Sequence, residues 1–403
     1  MALLKMRNVI QHYAWGSATA LPELLGIPNP EEEPIAEIWM GAHPKAPSTL
    51  LHREGQVTLD RAVQQDPNRW IGPAGAARFG GEFPFLLKLL SAERALSIQA
   101  HPSKEQAEEG YNREEQESIP LGAPHRNYRD RNHKPELMLP LTEFFALCGF
   151  REPREIEANL STYLNRVSSS VGALSRPGRA GLEEWFTEWM RLPEESRRAL
   201  LDVVLEDVPG TPNFDSPLWW VGQLNKEYPG DSGALSPLFL NLLHLYPGEG
   251  VFMGPGVLHA YLRGTGVEIM ANSDNVLRSG CTVKHVDPEE LLQVLDFEAG
   301  GVERIVPIPI EAGMELFRTP AEEFEVLRLS LSEENRQLRR NVTNRAPLIL
   351  LSTAGRPEVR AEDVSSEPLS PGESLFVTPG TATVEISGPG VVYCATVAGA
   401  FEG

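Results

Sequence analysis

Residues 247–256 read PGEGVFMGPG and residues 371–380 read PGESLFVTPG. Pro, Gly, Glu, Phe, Pro and Gly coincide, while Val251 and Met253 face the similar Leu375 and Val377. A short apolar strand closed at both ends by Pro-Gly turns, and used twice, predicts a duplicated jelly-roll barrel. The competing explanation is that any strand bounded by such turns shows much of this pattern. Three residues further on, His259 falls opposite Thr383. In a duplication the second copy therefore lacks the metal-competent residue of the first and is expected to be structural.

Outward from the second copy, SLFVTPGTATVEISGPGVVYCATVAG is rich in Val and Thr, with turns at Pro379-Gly380 and Pro389-Gly390, an all-β signal. Residues 1 to about 150 mix short apolar runs, such as PFLLKLLSAERALSIQAHP and ELMLPLTEFFALCGF, with Gly and Pro punctuation. They predict strands joined by turns, with some helix. From about 151 to 238 the texture is helical. Ile156, Leu160, Tyr163, Leu164 and Val167 recur at helical spacing, as do Leu182, Trp185, Phe186, Trp189 and Met190. Pro193-Glu194-Glu195 opens another helix, with acids at the positive end of its dipole. The tryptophans predict packing rather than a ligand platform.

With 403 residues the chain has room for two or three domains. Its formal charge of −20 disfavours nucleic acid and anionic membrane as partners, since both are bound through basic surface. An anionic substrate would need a few concentrated Lys and Arg residues working against that field. Cys148, Cys281 and Cys394 are far apart and form no CxxC pair, so buried reduced thiols are expected rather than disulfides or a thiolate metal site. Lys5, Arg7 and His12 interrupt any secretory apolar region, and no apolar run approaches the ~18 residues of a membrane span. A cytoplasmic monomer is expected.

Several short segments carry chemistry. Gln99 and His101 lie two apart in LSIQAHPS, so on a strand both point to one face, where an amide oxygen and an imidazole can approach one cation. NHKPELMLPL places His133, Lys134 and Glu136 within four residues, ahead of an apolar strand. His259 follows a Gly-Pro-Gly turn, and Glu268 lies in a later strand. Taken singly, these read better as a polar face, a charged turn and a hydrogen-bonded histidine. Together Gln99, His101, Glu136 and His259 supply two imidazoles, a carboxylate and an amide oxygen, a set that zinc accepts while keeping a position for water or substrate. A small β-barrel would let separated strands project them into one cavity. NSDNVLRSGCTVKHVD adds Asp274, Arg278 and Lys284, and the planar Arg fork suits a phosphate. Lys88 sits inside the apolar run PFLLKLL, where an ammonium is costly unless it meets an anion or reaches water.

The segments QHYAWGS, AEIWMGAHPKAPS, PFLLKLLSAERALSIQAHPSKEQAEEGY, NHKPEL, FFALCGFR, GPGVLHAYL and SDNVLRSGCTVK strongly resemble type I mannose-6-phosphate isomerases, in that family's order. The resemblance implies a mainly β, cupin-type fold with an inserted α-helical domain. A catalytic jelly roll would span 1–150 and 239–312, the helical domain 151–238, and a smaller C-terminal jelly roll 313–403. It implies one zinc ion per chain on Gln99, His101, Glu136 and His259, and a sugar phosphate as the small-molecule partner. Trp15, Glu37, Lys88, Ser97, Lys134, Glu268 and Arg278 match the family's active-site positions. It also implies a place in carbohydrate metabolism and GDP-mannose biosynthesis. Thr282-Val283-Lys284 stands where the family more often has Thr-Pro-Lys, and the C-terminal third is only loosely similar.

The reaction so implied moves a proton between C2 and C1 of mannose 6-phosphate and fructose 6-phosphate through a cis-enediol. Lys134, Glu268 and His133 are the candidate bases. Arg278, Lys88 and Ser97 are the candidate phosphate contacts, with Arg278 alternatively facing the enediolate. Two other classes remain: a cupin oxygenase or decarboxylase built on two histidines and a carboxylate, and a non-catalytic sugar-binding module. The Gln ligand and neighbouring cations speak against the first. Lys134 and Glu268 beside a complete ligand set speak against the second.

Overall fold

A computed structural model describes residues 3–52, 55–167, 178–302, 304–332, 337–340, 346–361, 366–380 and 384–401. The chain is sheet-rich, with 33% strand against 27% helix. Among the described residues the strands form sheets of nine, eleven and four.

Alternation along single strands explains how these sheets stack. In the strand Leu348–Gly355, Leu348 and Leu350 join Val359, Val384 and Ile386 of the four-stranded sheet. Ile349 and Leu351 turn the other way, into a core with Leu87, Leu89, Leu137, Leu139, Val267 and Ile269 of the eleven-stranded sheet. The nine-stranded sheet is thus the middle layer, buried on both faces. Its members include the first strand, Leu3–Arg7, which pairs with Thr49–His52 on one side and Ser374–Val377 on the other. Hydrogen bonds therefore join the start of the chain to a sheet otherwise built largely from residues beyond 307.

The eleven-stranded sheet turns its second face toward the polar residues. In Phe85–Ala92, Leu87 and Leu89 enter the inter-sheet core, so Lys88 between them points the opposite way. The same alternation sets Glu136 against Leu137, and Glu268 against Val267 and Ile269. The strand His259–Ala271 holds this sheet together. Its His259 end pairs with Ile98–Ala100 and Phe144–Phe150. Its other end pairs with Phe85–Ala92 and Glu136–Pro140. Between the halves the register shifts from Tyr261 to Arg263. Gly264 there has φ +132°, and a Cβ would lie 2.6 Å from the Phe144 ring. Glycine is required at that bend.

Phe144–Phe150 pairs with Leu240–Leu245, Phe150 standing opposite Leu240, so the helical run between them leaves and re-enters the sheet at one place. Its helices are Pro153–Leu164, Arg179–Arg191, Glu194–Leu205 and Pro217–Glu227. Leu160, Trp185, Phe186, Trp189 and Leu201 pack with Ile98, Ala100 and Leu147 of the sheet. Trp185 and Trp189 stack at 6.2 Å and are core, as their spacing predicts. The three cysteines are buried. No described helix is long and apolar enough to cross a membrane.

The two Pro-Gly copies form the same local structure in different sheets. Gly250–Met253 and Ser374–Val377 occupy the same four positions of each copy. The Glu249 carboxylate accepts from Tyr246 N, and that of Glu373 from Ser370 N, both at 2.8 Å. Thr383, opposite His259, lies outside the described residues.

Candidate metal centre and active site

Three buried side chains converge from separate strands and their ends. Glu136 begins its strand, His101 lies just past Ile98–Ala100, and His259 begins the long strand. Glu136 Oε1 is 3.5 Å from His101 Nε2, and Oε2 is 3.2 Å from His259 Nε2. Each imidazole is oriented through its other nitrogen: His101 Nδ1 meets Asn275 O at 2.7 Å, and His259 Nδ1 meets Val257 O at 2.9 Å. Those carbonyls accept, so Nδ1 carries the proton and Nε2 presents its lone pair inward.

This geometry fits a metal ion. His101 Nε2, His259 Nε2 and Glu136 Oε2 are buried without a hydrogen-bond partner. The ligand atoms of the three residues lie within 4.8 Å of one another. Donors about 2.0–2.2 Å from a tetrahedral ion stand roughly 3.3–3.6 Å apart, close to the two separations found. Burial, reinforced by Lys134, pushes His101 down to about 4, which keeps it in the neutral, ligating form. Burial alone would raise the Glu136 carboxyl, yet Lys134 and the two imidazoles hold it well below the usual carboxylate range. Gln99 stands directly across from His259 in the strand register, and its Oε1 accepts from Ser97 Oγ at 3.3 Å.

A second buried group lies on the same face of the sheet. Lys88 Nζ is 2.7 Å from Glu268 and 3.3 Å from Glu37. Tyr261 OH donates to Glu268 at 2.7 Å and Trp39 Nε1 to Glu37 at 2.8 Å. The charge of Lys88 is already balanced by two carboxylates, which removes the reason for expecting a phosphate there. Burial raises the Glu268 carboxyl, with Lys88 opposing. Trp15 is half-buried and stacks on Tyr13 at 5.7 Å.

The candidate bases divide. Lys134 Nζ sits 2.8 Å from Glu136 Oε1, two residues away on one face. His133 does not join the ligand trio; its Nε2 pairs with Glu323 at 2.5 Å. Glu268 is locked between Lys88 and Tyr261. Arg278 stands opposite Gln99 in the register, with its buried Nε unpartnered. A cavity of about 900 Å³ is walled by residues that include His43, Lys45, Asp60, Arg129 and Asp274, and the ligand trio does not line it. Lys45 and Asp274 are paired at 2.9 Å.

Tyr261, Trp39, His43 and Arg129 were not singled out by sequence reading. Tyr261 and Trp39 had a signal, each lying two residues from a named site residue on a strand. His43 and Arg129 had none.

A family model described as phosphomannose isomerase type I, catalytic domain, matches residues 3–153. The mannose-6-phosphate isomerase of Salmonella typhimurium is 39% identical over 394 residues, covering 96% of this chain and 97% of that protein. That of Rattus norvegicus is 32% identical over 406 residues, covering 92% of each. A crystal structure of mannose 6-phosphate isomerase bound with zinc and yttrium superposes with a TM-score of 0.89 at 36% identity, covering 98% of this chain and 100% of that one.

Proposed function

The chain belongs to the type I mannose-6-phosphate isomerase family, and from that premise we propose that it interconverts mannose 6-phosphate and fructose 6-phosphate with a zinc ion. The observation that carries the reading is the buried convergence of His101, Glu136 and His259, with Nε2 of both imidazoles unpartnered. Gln99 is the proposed fourth donor. Zinc at this position supplies Lewis acidity that stabilises negative charge on the sugar oxygens in the enediolate-like transition state.

Lys134 Nζ is the proposed proton carrier between C2 and C1. It alone of the three candidates combines a place beside the ligands with freedom from a second carboxylate. Its charged neighbourhood favours return of the proton to the same face. Glu268, Lys88 and Glu37 form a rigid floor, with Tyr261 and Trp39 fixing the carboxylates. Trp15 walls the site against water. Arg278 and Lys284 are proposed to hold the phosphate, a reading supported by the lack of any acidic partner for either among the described residues. We further propose that the curled eleven-stranded sheet and the stacked nine- and four-stranded sheets are two cupin-type jelly rolls. The matching Pro-Gly strands support this, and the helical run 151–238 is the insertion. A cytoplasmic monomer is proposed, in which the phosphate is held by a local cluster of cations against the field of the −20 charge.

Metal analysis together with a coupled assay for fructose 6-phosphate tests the reading. One zinc per chain with chelator-sensitive turnover is expected, and metal-replete protein without turnover refutes it. Lys134→Ala should lose at least 100-fold in kcat while binding substrate. Near-normal turnover removes Lys134 from the role.

A further inference from the structure

Acids outnumber bases by 56 to 36 in this chain, so cations left without an acid partner are informative. Arg278 lies in the strand Leu277–Gly280, and Lys284 follows on an exposed loop. A third such cation, Arg129, comes from a distant stretch of sequence. Among the described residues its guanidinium makes no hydrogen bond or ion pair.

The segment around Arg129 is tied to the chain at points before Arg278 and after Lys284. On one side Arg129 N donates to Asn275 Oδ1 at 2.7 Å, three residues before Arg278. On the other side the His125 and His285 rings meet at 6.4 Å, and Asn127 Nδ2 donates to Asp287 at 2.8 Å. Those contacts flank Lys284. The acids close by are occupied: Asp130 accepts from Ser273 Oγ and from Asp274 N, and Asp274 pairs with Lys45. Arg129 also lines the 900 Å³ cavity, so its residue borders space that a ligand can enter. The three cations feel one another. After burial, the field of Arg129 lowers Arg278, and the fields of Arg278 and Arg129 lower Lys284. Like charges held together without a counter-charge are stabilised by a multivalent anion.

We infer that Arg129 is a third cation of the phosphate subsite and sets its preference for a dianionic ester over a neutral or singly charged group. The inference rests on the isomerase reading for the identity of the ester. The geometry adds the residue. A planar fork carried on a backbone held at Asn275, and near enough to Arg278 and Lys284 to act on both, can close on phosphate oxygens that Lys284 reaches only as a point charge.

The test compares Arg129→Gln and Arg129→Lys with the parent and with Arg131→Gln, a neighbouring cation spent on Asn112 and the Tyr111 ring. Arg129→Gln should raise KM for mannose 6-phosphate at least tenfold while kcat stays within about twofold, and Arg129→Lys should recover part of that loss. Inorganic phosphate should raise the Tm of the parent and of Arg131→Gln, but not of Arg129→Gln. Unchanged KM and an unchanged phosphate effect in Arg129→Gln overturn the inference. A parent enzyme stabilised by phosphate through Arg129 but inert on mannose 6-phosphate would instead sink the isomerase reading and leave the anion site standing. Zinc content and far-UV circular dichroism identify a variant that has failed to fold, and Arg129→Lys then decides.

Discussion

Lys88→Met should destabilise the protein heavily, because it leaves Glu37 and Glu268 buried without their common cation. Residues Lys88, Glu37 and Glu268 are 5%, 5% and 2% exposed, so water cannot take over from the ammonium. Breaking a buried ion pair by removing one partner costs about 3–5 kcal/mol. With 403 residues at about 2.1 cal/mol/K each, the unfolding entropy of one cooperative unit is about 0.85 kcal/mol/K. A loss of about 4 kcal/mol then lowers Tm by about 5 °C. The pH dependence has a definite sign. Burial already raises Glu268, and removing Lys88 removes what opposes that rise. The unfolded carboxyl releases its proton near 4.3, while the folded one keeps it to higher pH. Stability therefore falls as pH climbs through that window. The deficit relative to the parent should be largest near pH 8 and shrink toward pH 5. Differential scanning calorimetry reads both effects, and Lys88→Met/Glu268→Gln should be more stable than Lys88→Met alone. A Tm within about 1 °C of the parent, or a double variant no better than the single, would refute the reasoning.

Burial pushes the His43 imidazole down to about 4, with Lys45 assisting and Asp274 opposing. Unfolded histidine titrates near 6.5, so this contribution is complete above that pH and is lost as pH falls toward 4. Its size is up to roughly 3 kcal/mol. Urea midpoints of His43→Gln should give a flatter acid limb than the parent, and identical limbs would contradict this. Chelation should abolish turnover and lower Tm, and zinc should restore both, worth about 2.7 kcal/mol at a hundredfold excess over Kd. His259→Ala should bind less than one ion by elemental analysis. Asn275 is fully buried, accepting from Arg129 N and Asp130 N and donating to Asp130 O and Asn132 O. Asn275→Ala should cost about 2–4 kcal/mol in urea titrations and raise KM, since the segment carrying Arg129 loses its anchor.

What could be read from sequence followed local periodicity. The helices between 151 and 238 announce themselves through apolar spacing, and Glu194–Leu205 begins after Pro193 as its start signal predicts. Gln99, His101, Glu136 and His259 were legible as donor types. Lys88 was legible as an anomaly, but its partners lie 51 and 180 residues away, and no local rule names them. Glu268 shows why strand arithmetic fails. Nine residues separate it from His259, an odd number that strict alternation would put on opposite faces. The irregularity after Tyr261, at the bend that Gly264 permits, resets the alternation, and Tyr261 OH reaches Glu268. Arg129 and His43 reach the cavity wall only through tertiary assembly.

The pairing of Leu3–Arg7 with Ser374–Val377 sets a timetable for biosynthesis. A ribosome adds about 5–20 residues per second, so the partner emerges roughly 20–70 s after the first strand. Thr49–His52 can dock early and cover one edge. The other edge, with Leu3, Leu4 and Met6, stays open until residues 374–377 have been made. A nascent chain therefore carries an adhesive ribbon at residues 3–7 until that partner is made, a natural client for holding chaperones. A message truncated before residue 374 would leave that ribbon permanently bare, marking the incomplete product for degradation or aggregation.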